Sequence, residues 1–324
     1  MKSNSLSITL LVVLNLLLFS CDENEPIAGL QQDQTSIQPT PISEFWQPFD
    51  VFNISDEQKS KEVLYGRDLI IYTAYYFGPK GRIAQQTNGL NCQNCHLDAG
   101  TKPFGNNYGS VASTYPKVRA RSGKMESIEK RINDCFERSL NGKPLKENSK
   151  EMRAMVAYMK FLGENVKKGE KASGSGLKEL PFLNRAADPQ KGKSVYELRC
   201  ASCHQANGQG IIDGIGQSYV YPPLWGPHSF NDAAGLSRIS NMAKYVKYNM
   251  PLGVNHDAPE LTDEDAWDVA AYIESMPRPH KPVPQDWPNI AKKPIDHPFG
   301  PYADNFSEQQ HKYGPFTAMK KDKK

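Results

Sequence analysis

Two short motifs of cysteine and histidine carry the clearest chemistry in this chain of 324 residues. The first, C-Q-N-C-H, occupies residues 92–96, and the second, C-A-S-C-H, occupies residues 200–204. In a C-x-x-C-H motif the two thiols bond to the vinyl groups of a haem, and the adjacent histidine ligates its iron. The alternatives are a redox C-x-x-C or half of a zinc site. Zinc needs a second ligand pair at matching distance, whereas these motifs lie more than 100 residues apart.

The two motifs therefore predict two covalently bound haems c. Their predicted attachment residues are Cys92, Cys95, Cys200 and Cys203, with the proximal histidines His96 and His204.

The second haem also has a candidate distal ligand. Met250 precedes Pro251 in a segment ahead of the last helical stretch of its unit. Methionine opposite histidine raises a haem potential, which suits an electron exit. Met242 and a deprotonated Lys247 are alternative ligands, and ordinary packing is the alternative role for Met250.

Cys135 belongs to neither motif. Apolar residues of the surrounding segment, S-I-E-K-R-I-N-D-C-F-E-R-S-L, recur at helical spacing. On that helix Arg131, Cys135 and Ser139 lie along one face, which suits the binding of an anion beside a haem. Further positive charge is available at Arg119, Arg121 and Lys143. A buried free cysteine with solvated arginines fits the spacing equally well, so both interpretations stay open.

The elements around the two motifs form an internal repeat. Each motif follows a helical stretch, residues 61–77 or 189–199, and each unit closes with a second helical stretch, "AYMKFL" or "AYIESM". A small all-α cytochrome needs such a pair of helices crossing beside its haem. The sequence therefore predicts an all-α fold of two tandem class I-like cytochrome c domains.

The predicted domain organisation follows from composition. Residues 46–165 form the first cytochrome c domain and residues 186–278 the second, joined by a Lys-, Gly- and Ser-rich linker at 166–185. Residues 279–324 are rich in proline but keep spaced aromatic residues. They are predicted to be an extended tail packed on the domains, the alternative being a disordered tail.

The N-terminus is typical of an export signal. Residues 1–20 contain Lys2 and an apolar run too short to span a bilayer, and they end in a lipobox-like L-F-S before Cys21. We expect lipidation at Cys21 and a tether at 21–45; the alternative is a plain signal peptide cut near Ser20. The protein is predicted to be a bacterial lipoprotein that faces the periplasm or lies on the cell surface, held to the membrane by the lipid alone.

The net charge of +3 is too small to indicate nucleic-acid binding.

Several stretches resemble the dihaem thiosulfate dehydrogenases. GLNCQNCHLDAGTKPFGNNYG, YPKVRAR and RINDCFERSLNGKPL resemble the first-haem region of that family. YPPLWGPHSFN, VKYNMP and HPFGPYADNFSEQQHKYGPF resemble its second domain and C-terminus, so that the resemblance spans about residues 45–318. It implies that His96 and Cys135 ligate the first iron, and that His204 and Met250, or alternatively Lys247, ligate the second. It also implies a substrate pocket at Arg121, Arg131, Ser139 and Lys143.

The resemblance implies a reaction that joins two thiosulfate ions into tetrathionate. Electrons would pass from the His/Cys-ligated haem to the second haem, and then to a soluble c-type cytochrome or a terminal oxidase. Tetrathionate reduction at the same site is the alternative reaction. The alternative from another class is a non-enzymatic, membrane-tethered dihaem electron-transfer protein, which needs no anion pocket.

Overall fold

The first half of the molecule is built around a crossing of two helices, α1 and α6. The computed structural model describes residues 44–214 and 218–322. Its first half contains α1 (Glu57–Ile71), α2 (Thr73–Phe77), α3 (Leu97–Gly100), α4 (Val111–Thr114), α5 (Ile128–Arg138) and α6 (Lys150–Leu162). The strands β1 (Lys117–Val118) and β2 (Met125–Glu126) form a small antiparallel ribbon, and a 3-10 turn covers Cys92–Asn94.

The second half repeats the plan. It contains α7 (Pro189–Arg199), α8 (Ala201–His204), α9 (Ile239–Asn249) and α10 (Asp263–Ser275), a 3-10 turn at Gly235–Ser237, and the antiparallel strands β3 (Ile211–Ile212) and β4 (Tyr219–Tyr221). Thr262 caps α10 in a reciprocal capping box with Asp265, which fixes the start of this helix. Each half has its own cluster of buried apolar side chains.

Both helix crossings depend on a glycine. A Cβ atom on Gly66 of α1 would lie 2.0 Å from the carbonyl oxygen of Ala154 in α6. A Cβ atom on Gly192 of α7 would lie 1.8 Å from the carbonyl oxygen of Asp268 in α10. Only glycine lets the two backbones approach so closely. The repeat seen in the sequence is therefore a repeat of structure, down to the residue at the crossing.

The C-terminal tail is less extended than the sequence predicts. It contains a 3-10 turn at Ile290–Lys292 and two short helices, α11 (Glu308–Tyr313) and α12 (Phe316–Asp322). Phe316 and Met319 are buried in the core of the second half. The high proline content made these helices difficult to predict from the sequence, because they occupy the short stretches between prolines.

The N-terminal predictions fall largely outside the described residues. The signal peptide, Cys21 and the tether as far as residue 43 are not among them. Within 44–214 and 218–322, no helix is long and apolar enough to cross a membrane.

Candidate functional site

The first C-x-x-C-H motif borders an apolar cavity of about 310 Å³. Cys92, Cys95, His96 and Cys135 all line it, and most of the remaining wall is apolar: Ile70, Leu90, Val111, Ile128, Ile132, Phe136, Leu140, Met155 and Met159. Burial raises the pKa of both motif thiols to about 12, as expected of sulfurs facing an apolar space. The lining fits a haem attached through these two sulfurs, and we call this cavity the first haem slot.

His96 is prepared as an iron ligand. Its Nδ1 hydrogen-bonds the carbonyl oxygen of Asn106 at 2.6 Å, which leaves Nε2 for the metal. Burial lowers the pKa of His96 to about 4, so the imidazole is neutral as a ligand must be. The ring stacks on Tyr108, with centroids 4.6 Å apart, which fixes its orientation.

Cys135 is placed beside the first motif by α5. Ser127 caps this helix, its hydroxyl accepting a hydrogen bond from the backbone N–H of Lys130. The charge of Cys135 contributes to the raised pKa values of Cys92 and Cys95, after desolvation. It is also the largest cause of the raised pKa of Arg131. The structure thus brings this thiol, the motif thiols and a guanidinium into one neighbourhood.

The second motif borders a smaller apolar cavity of about 160 Å³, the second haem slot. Cys200, Cys203 and His204 line it together with Met242 and Met250. The Nδ1 of His204 bonds the carbonyl oxygen of Pro222 at 2.8 Å, and burial lowers the pKa of this histidine. Both methionines considered as distal ligands thus reach the cavity that a haem would fill.

Lys247 does not reach the second haem slot. It is buried on α9, but its Nζ donates to the carbonyl oxygen of Leu261 and pairs with Asp263 at 2.9 Å. Met242 and Met250 thus line the slot, whereas the Lys247 ammonium is held by Leu261 and Asp263.

A third cavity, of about 420 Å³, adjoins the first haem slot and is larger than either haem slot. We call it the anion cavity. Cys95, His96, Arg131, Cys135 and Ser139 line both spaces. Six basic side chains line the anion cavity, Arg119, Arg121, Arg131, Arg138, Arg238 and Lys244, against the two acidic side chains Asp134 and Glu179. Such a surplus of largely buried cations beside a thiol favours a multiply charged anion.

Most of these cations are held by carboxylates. Asp286 accepts two hydrogen bonds from the Arg138 guanidinium, at 2.8 and 2.9 Å, and lies 3.9 Å from Arg121. Lys244 pairs with Glu179 at 2.7 Å. Burial, followed by the charge of Arg138, lowers the pKa of Arg121 to about 10, which leaves it charged at neutral pH.

Arg131 differs from these cations. In the described part of the chain no carboxylate oxygen lies within 4 Å of its guanidinium, and its largest electrostatic partner is Cys135. This arginine is therefore the cation most available to an incoming anion.

The structure brings together four of the five predicted pocket residues. Arg121, Arg131, Cys135 and Ser139 line the anion cavity, whereas Lys143 does not. Lys143 is exposed, and its backbone pairs with Gln86. It lies beyond the end of α5, where the helical spacing that relates Arg131, Cys135 and Ser139 no longer holds.

Among the lining residues missed from the sequence are three basic side chains and one tryptophan: Arg138, Arg238, Lys244 and Trp287. Arg138 lies two turns beyond Arg131 on the same helix, a spacing that was visible. The others come from the second half and the tail, and no local pattern connects them with Cys135.

The two halves also meet at the haem slots. Cys95 lines the anion cavity and both haem slots. Its neighbour Asn94 accepts a hydrogen bond from the hydroxyl of Tyr245 at 2.7 Å, and both residues line the second haem slot. On α5, the carbonyl of Arg138 accepts the backbone N–H of Asn231. The first attachment motif therefore lies on the boundary between the slots.

Comparisons with known proteins match both halves. Residues 82–167 match the SoxA/TsdA cytochrome c domain family, and residues 189–277 match the cytochrome c family. The thiosulfate dehydrogenase of Allochromatium vinosum is 41% identical over 196 residues, 59% of this chain and 71% of that protein. That of Thiomonas intermedia is 36% identical over 229 residues, 71% of this chain and 70% of that protein.

A solved thiosulfate dehydrogenase (TsdBA) from Marichromatium purpuratum, in its as-isolated form, is 30% identical and superposes with a TM-score of 0.67. The match covers 74% of this chain and 50% of that one. The chain spans between 61% and 71% of the length of the curated thiosulfate dehydrogenases that it matches. These matches confirm the all-α fold of two cytochrome c domains with two covalently bound c-type haems.

Proposed function

The chain belongs to the thiosulfate dehydrogenase family, and we propose that it couples two thiosulfate ions into tetrathionate. The observation that carries this proposal is the anion cavity, where six basic side chains surround the thiol of Cys135 beside the first haem slot. The four curated relatives named thiosulfate dehydrogenase support the choice of substrate.

The cationic lining answers the main physical difficulty of the reaction. Thiosulfate is a dianion, and even two unit charges ~4 Å apart repel by about 4 kcal/mol at an effective dielectric constant of ~20. Arg121 and Arg131 offset this repulsion. Arg138, Arg238 and Lys244 supply the additional positive charge that was expected from Lys143. The hydroxyl of Ser139 donates a hydrogen bond to a sulfonate oxygen.

Cys135 is the proposed nucleophile, and its sulfur would also help to hold the first haem. Its thiolate and the sulfane sulfur of one thiosulfate form an S–S bond, giving a Cys–S–S–SO₃⁻ adduct and releasing two electrons. The sulfane sulfur of the second thiosulfate then attacks the sulfur bonded to Cys135 Sγ. The S–S bond to the protein breaks, tetrathionate leaves, and the thiolate is restored. Arg131 stabilises that thiolate at both ends of the cycle.

We propose that His96 and Cys135 would ligate the iron of the first haem, and that His204 and Met250 would ligate the second. When bound, the two haems would supply the redox chemistry, by accepting the two electrons released at the site and delivering them to a soluble c-type cytochrome or terminal oxidase, with the second haem as the proposed exit. The boundary position of Cys95 supports this order. We propose that the chain acts as an exported lipoprotein, anchored through Cys21 and facing the periplasm or the cell surface.

Two other functions are less well supported. A simple electron carrier has no use for a largely buried set of cations around a thiol, so the anion cavity argues against it. Tetrathionate reduction uses the same residues in reverse, and the haem potentials decide between the two directions.

The proposal is tested by replacing Cys135 with Ala in the dihaem protein. We expect both haems to remain attached, as counted by their absorption. Thiosulfate-dependent reduction of an artificial acceptor should fall by more than about a thousandfold, since the variant lacks the sulfur that forms the intermediate. A thiolate-ligated low-spin signal in the EPR spectrum of the oxidised protein should disappear. Ser139→Ala is the matched control, because it removes one hydrogen bond but keeps the thiol. Near-normal turnover in Cys135→Ala would overturn the proposal.

A further inference from the structure

Trp287 brings the tail into the wall of the anion cavity. It lies between the 3-10 turn at Ile290–Lys292 and the end of the second cytochrome c domain, and its side chain lines the cavity with Arg121. The guanidinium of Arg121 lies 5.6 Å from the centroid of the indole ring. The haem-slot linings, in contrast, do not include Trp287.

No residue of the described ranges accepts a hydrogen bond from the indole N–H of Trp287. Among the described residues, its Nε1 is a buried atom without a hydrogen-bond acceptor. Two other tryptophans show the usual state: Trp46 Nε1 donates to Asn165 at 2.8 Å, and Trp267 Nε1 donates to the carbonyl oxygen of Pro181 at 2.9 Å. A buried donor left unpaired costs free energy, and a native fold retains one where something else satisfies it.

The backbone at Trp287 is strained. Its φ is +59°, in the left-handed region that bulky side chains rarely adopt. The conformation is held because the backbone N–H of Trp287 donates to the carbonyl oxygen of Arg121 at 2.6 Å, and because Asp286 is bound by Arg138. Strain of this kind persists where the surrounding structure enforces it, and it concentrates at ligand sites. Here it keeps the indole ring beside the anion cavity.

We propose that the indole N–H of Trp287 is a substrate-binding donor for an oxyanion, and specifically for a sulfonate oxygen of thiosulfate or tetrathionate. The proposal rests on the proposed function for the identity of that anion. An N–H donor bonds oxygen better than a sulfane sulfur. Trp287 therefore favours the orientation in which the sulfonate faces the tail and the sulfane sulfur stays available to Cys135.

A carboxylate of the first haem would present the same acceptor chemistry as a sulfonate, so the test separates the two. Trp287→Phe keeps an aromatic ring beside Arg121 but removes the N–H. Trp46→Phe is the matched control, because it removes an indole N–H that already has a partner outside the cavities. Melting temperatures of the oxidised dihaem proteins are measured without added anion and with rising tetrathionate, which oxidised protein has no electrons to reduce. The reduced proteins are titrated with thiosulfate in the same way, and sulfate is a third probe.

We expect Trp287→Phe to melt no lower than wild type without added anion, because it removes an unsatisfied donor. Its dissociation constants for the anions should rise about tenfold, the loss expected for one hydrogen bond to a charged group. Trp46→Phe should melt lower and bind the anions like wild type. Unchanged anion affinity in Trp287→Phe would overturn the inference. The inference would also be overturned if, without added anion, Trp287→Phe lowered the melting temperature as much as Trp46→Phe does. The indole N–H of Trp287 would then already have an acceptor within the holoprotein.

The failure of the proposed function looks different. In that case wild type shows no shift with either sulfur anion. The sulfate titration then decides whether Trp287 serves another oxyanion: a tenfold loss in Trp287→Phe supports the donor, and an equal or absent response in both proteins refutes it.

Discussion

Asp286→Asn isolates the residue that organises the arginines of the anion cavity. The carboxylate receives two hydrogen bonds from Arg138, at 2.8 and 2.9 Å, and lies 3.9 Å from Arg121. The side chains of Arg138 and Asp286 are only 11% and 13% exposed. Asparagine preserves the size of the side chain but removes the charge, so two largely buried guanidinium groups lose their counter-ion.

The expected decrease in the free energy of unfolding follows from the burial of this ion pair. Removing one partner of a buried ion pair typically costs 3–5 kcal/mol. We expect about 2–4 kcal/mol here, because Asp134 remains 3.9 Å from Arg138 and the pair is slightly exposed. For a body of this size that corresponds to a melting temperature lower by about 3–7 °C. The uncompensated positive charge should also bind thiosulfate, tetrathionate or sulfate more tightly than in wild type.

The assay is thermal unfolding of the dihaem protein at neutral pH, with and without these anions. Glu197→Gln is the control, because it removes a carboxylate from a pair with Lys193 whose side chains are more than half exposed, and it should change stability by less than about 0.5 kcal/mol. Asp286→Asn should regain stability with added anion faster than wild type does. An unchanged melting temperature, or a weaker response to anions than in wild type, would refute the assignment of Asp286 as the counter-ion.

Three further changes test other parts of the structure. Gly66→Ala places a Cβ atom 2.0 Å from the carbonyl oxygen of Ala154. It should therefore lower the free energy of unfolding, measured by urea titration, by at least about 3 kcal/mol. An unchanged free energy of unfolding would contradict the close helix crossing. Lys244→Ala should raise the KM for thiosulfate several-fold in steady-state assays, and Lys143→Ala should not, because only Lys244 lines the anion cavity. The reverse result would contradict this assignment of the lining residues. Burial raises the pKa of Glu274 to about 7, so the folded chain keeps this proton to higher pH than the unfolded chain. The free energy of unfolding should therefore fall by up to about 3 kcal/mol as pH rises from about 4.5 to 7 and then level off. Glu274→Gln should remove that slope, and a slope that persists would exclude Glu274 as its cause.

The parts of the fold that depend on local chemistry were predictable from the sequence. The haem-attachment motifs have fixed spacing, and the helix caps at Ser127 and Thr262 are short-range signals. The repeat of helical stretches predicted both crossings. The glycines at those crossings could not be assigned to close contacts, since their partners at Ala154 and Asp268 are about 80 residues away.

The anion cavity was only half predictable, because only half of it is local. Arg131, Cys135 and Ser139 follow from one helix. Arg238 and Trp287 depend on how the second half and the tail pack, which no spacing along the chain encodes. Lys247 shows the same limit: it lies near Met250 in the sequence, but its ion pair with Asp263, sixteen residues further on, is not indicated by any local pattern.

The packing of the two halves bears directly on whether this molecule is an enzyme or a carrier. In a pair of independent electron carriers, the second cytochrome c domain would have no reason to place cations over a thiol of the first. Here Arg238 and Lys244 of α9 and its cap line the cavity that contains Cys135. On the same helix Met242 and Tyr245 line the second haem slot, and Tyr245 also bonds the first attachment motif through Asn94. One helix thus completes the anion cavity and forms a wall of the second haem slot. Because the anion cavity and the second haem slot share this element, the first domain alone would lack part of its cationic lining, as expected of two domains that act as one catalytic unit.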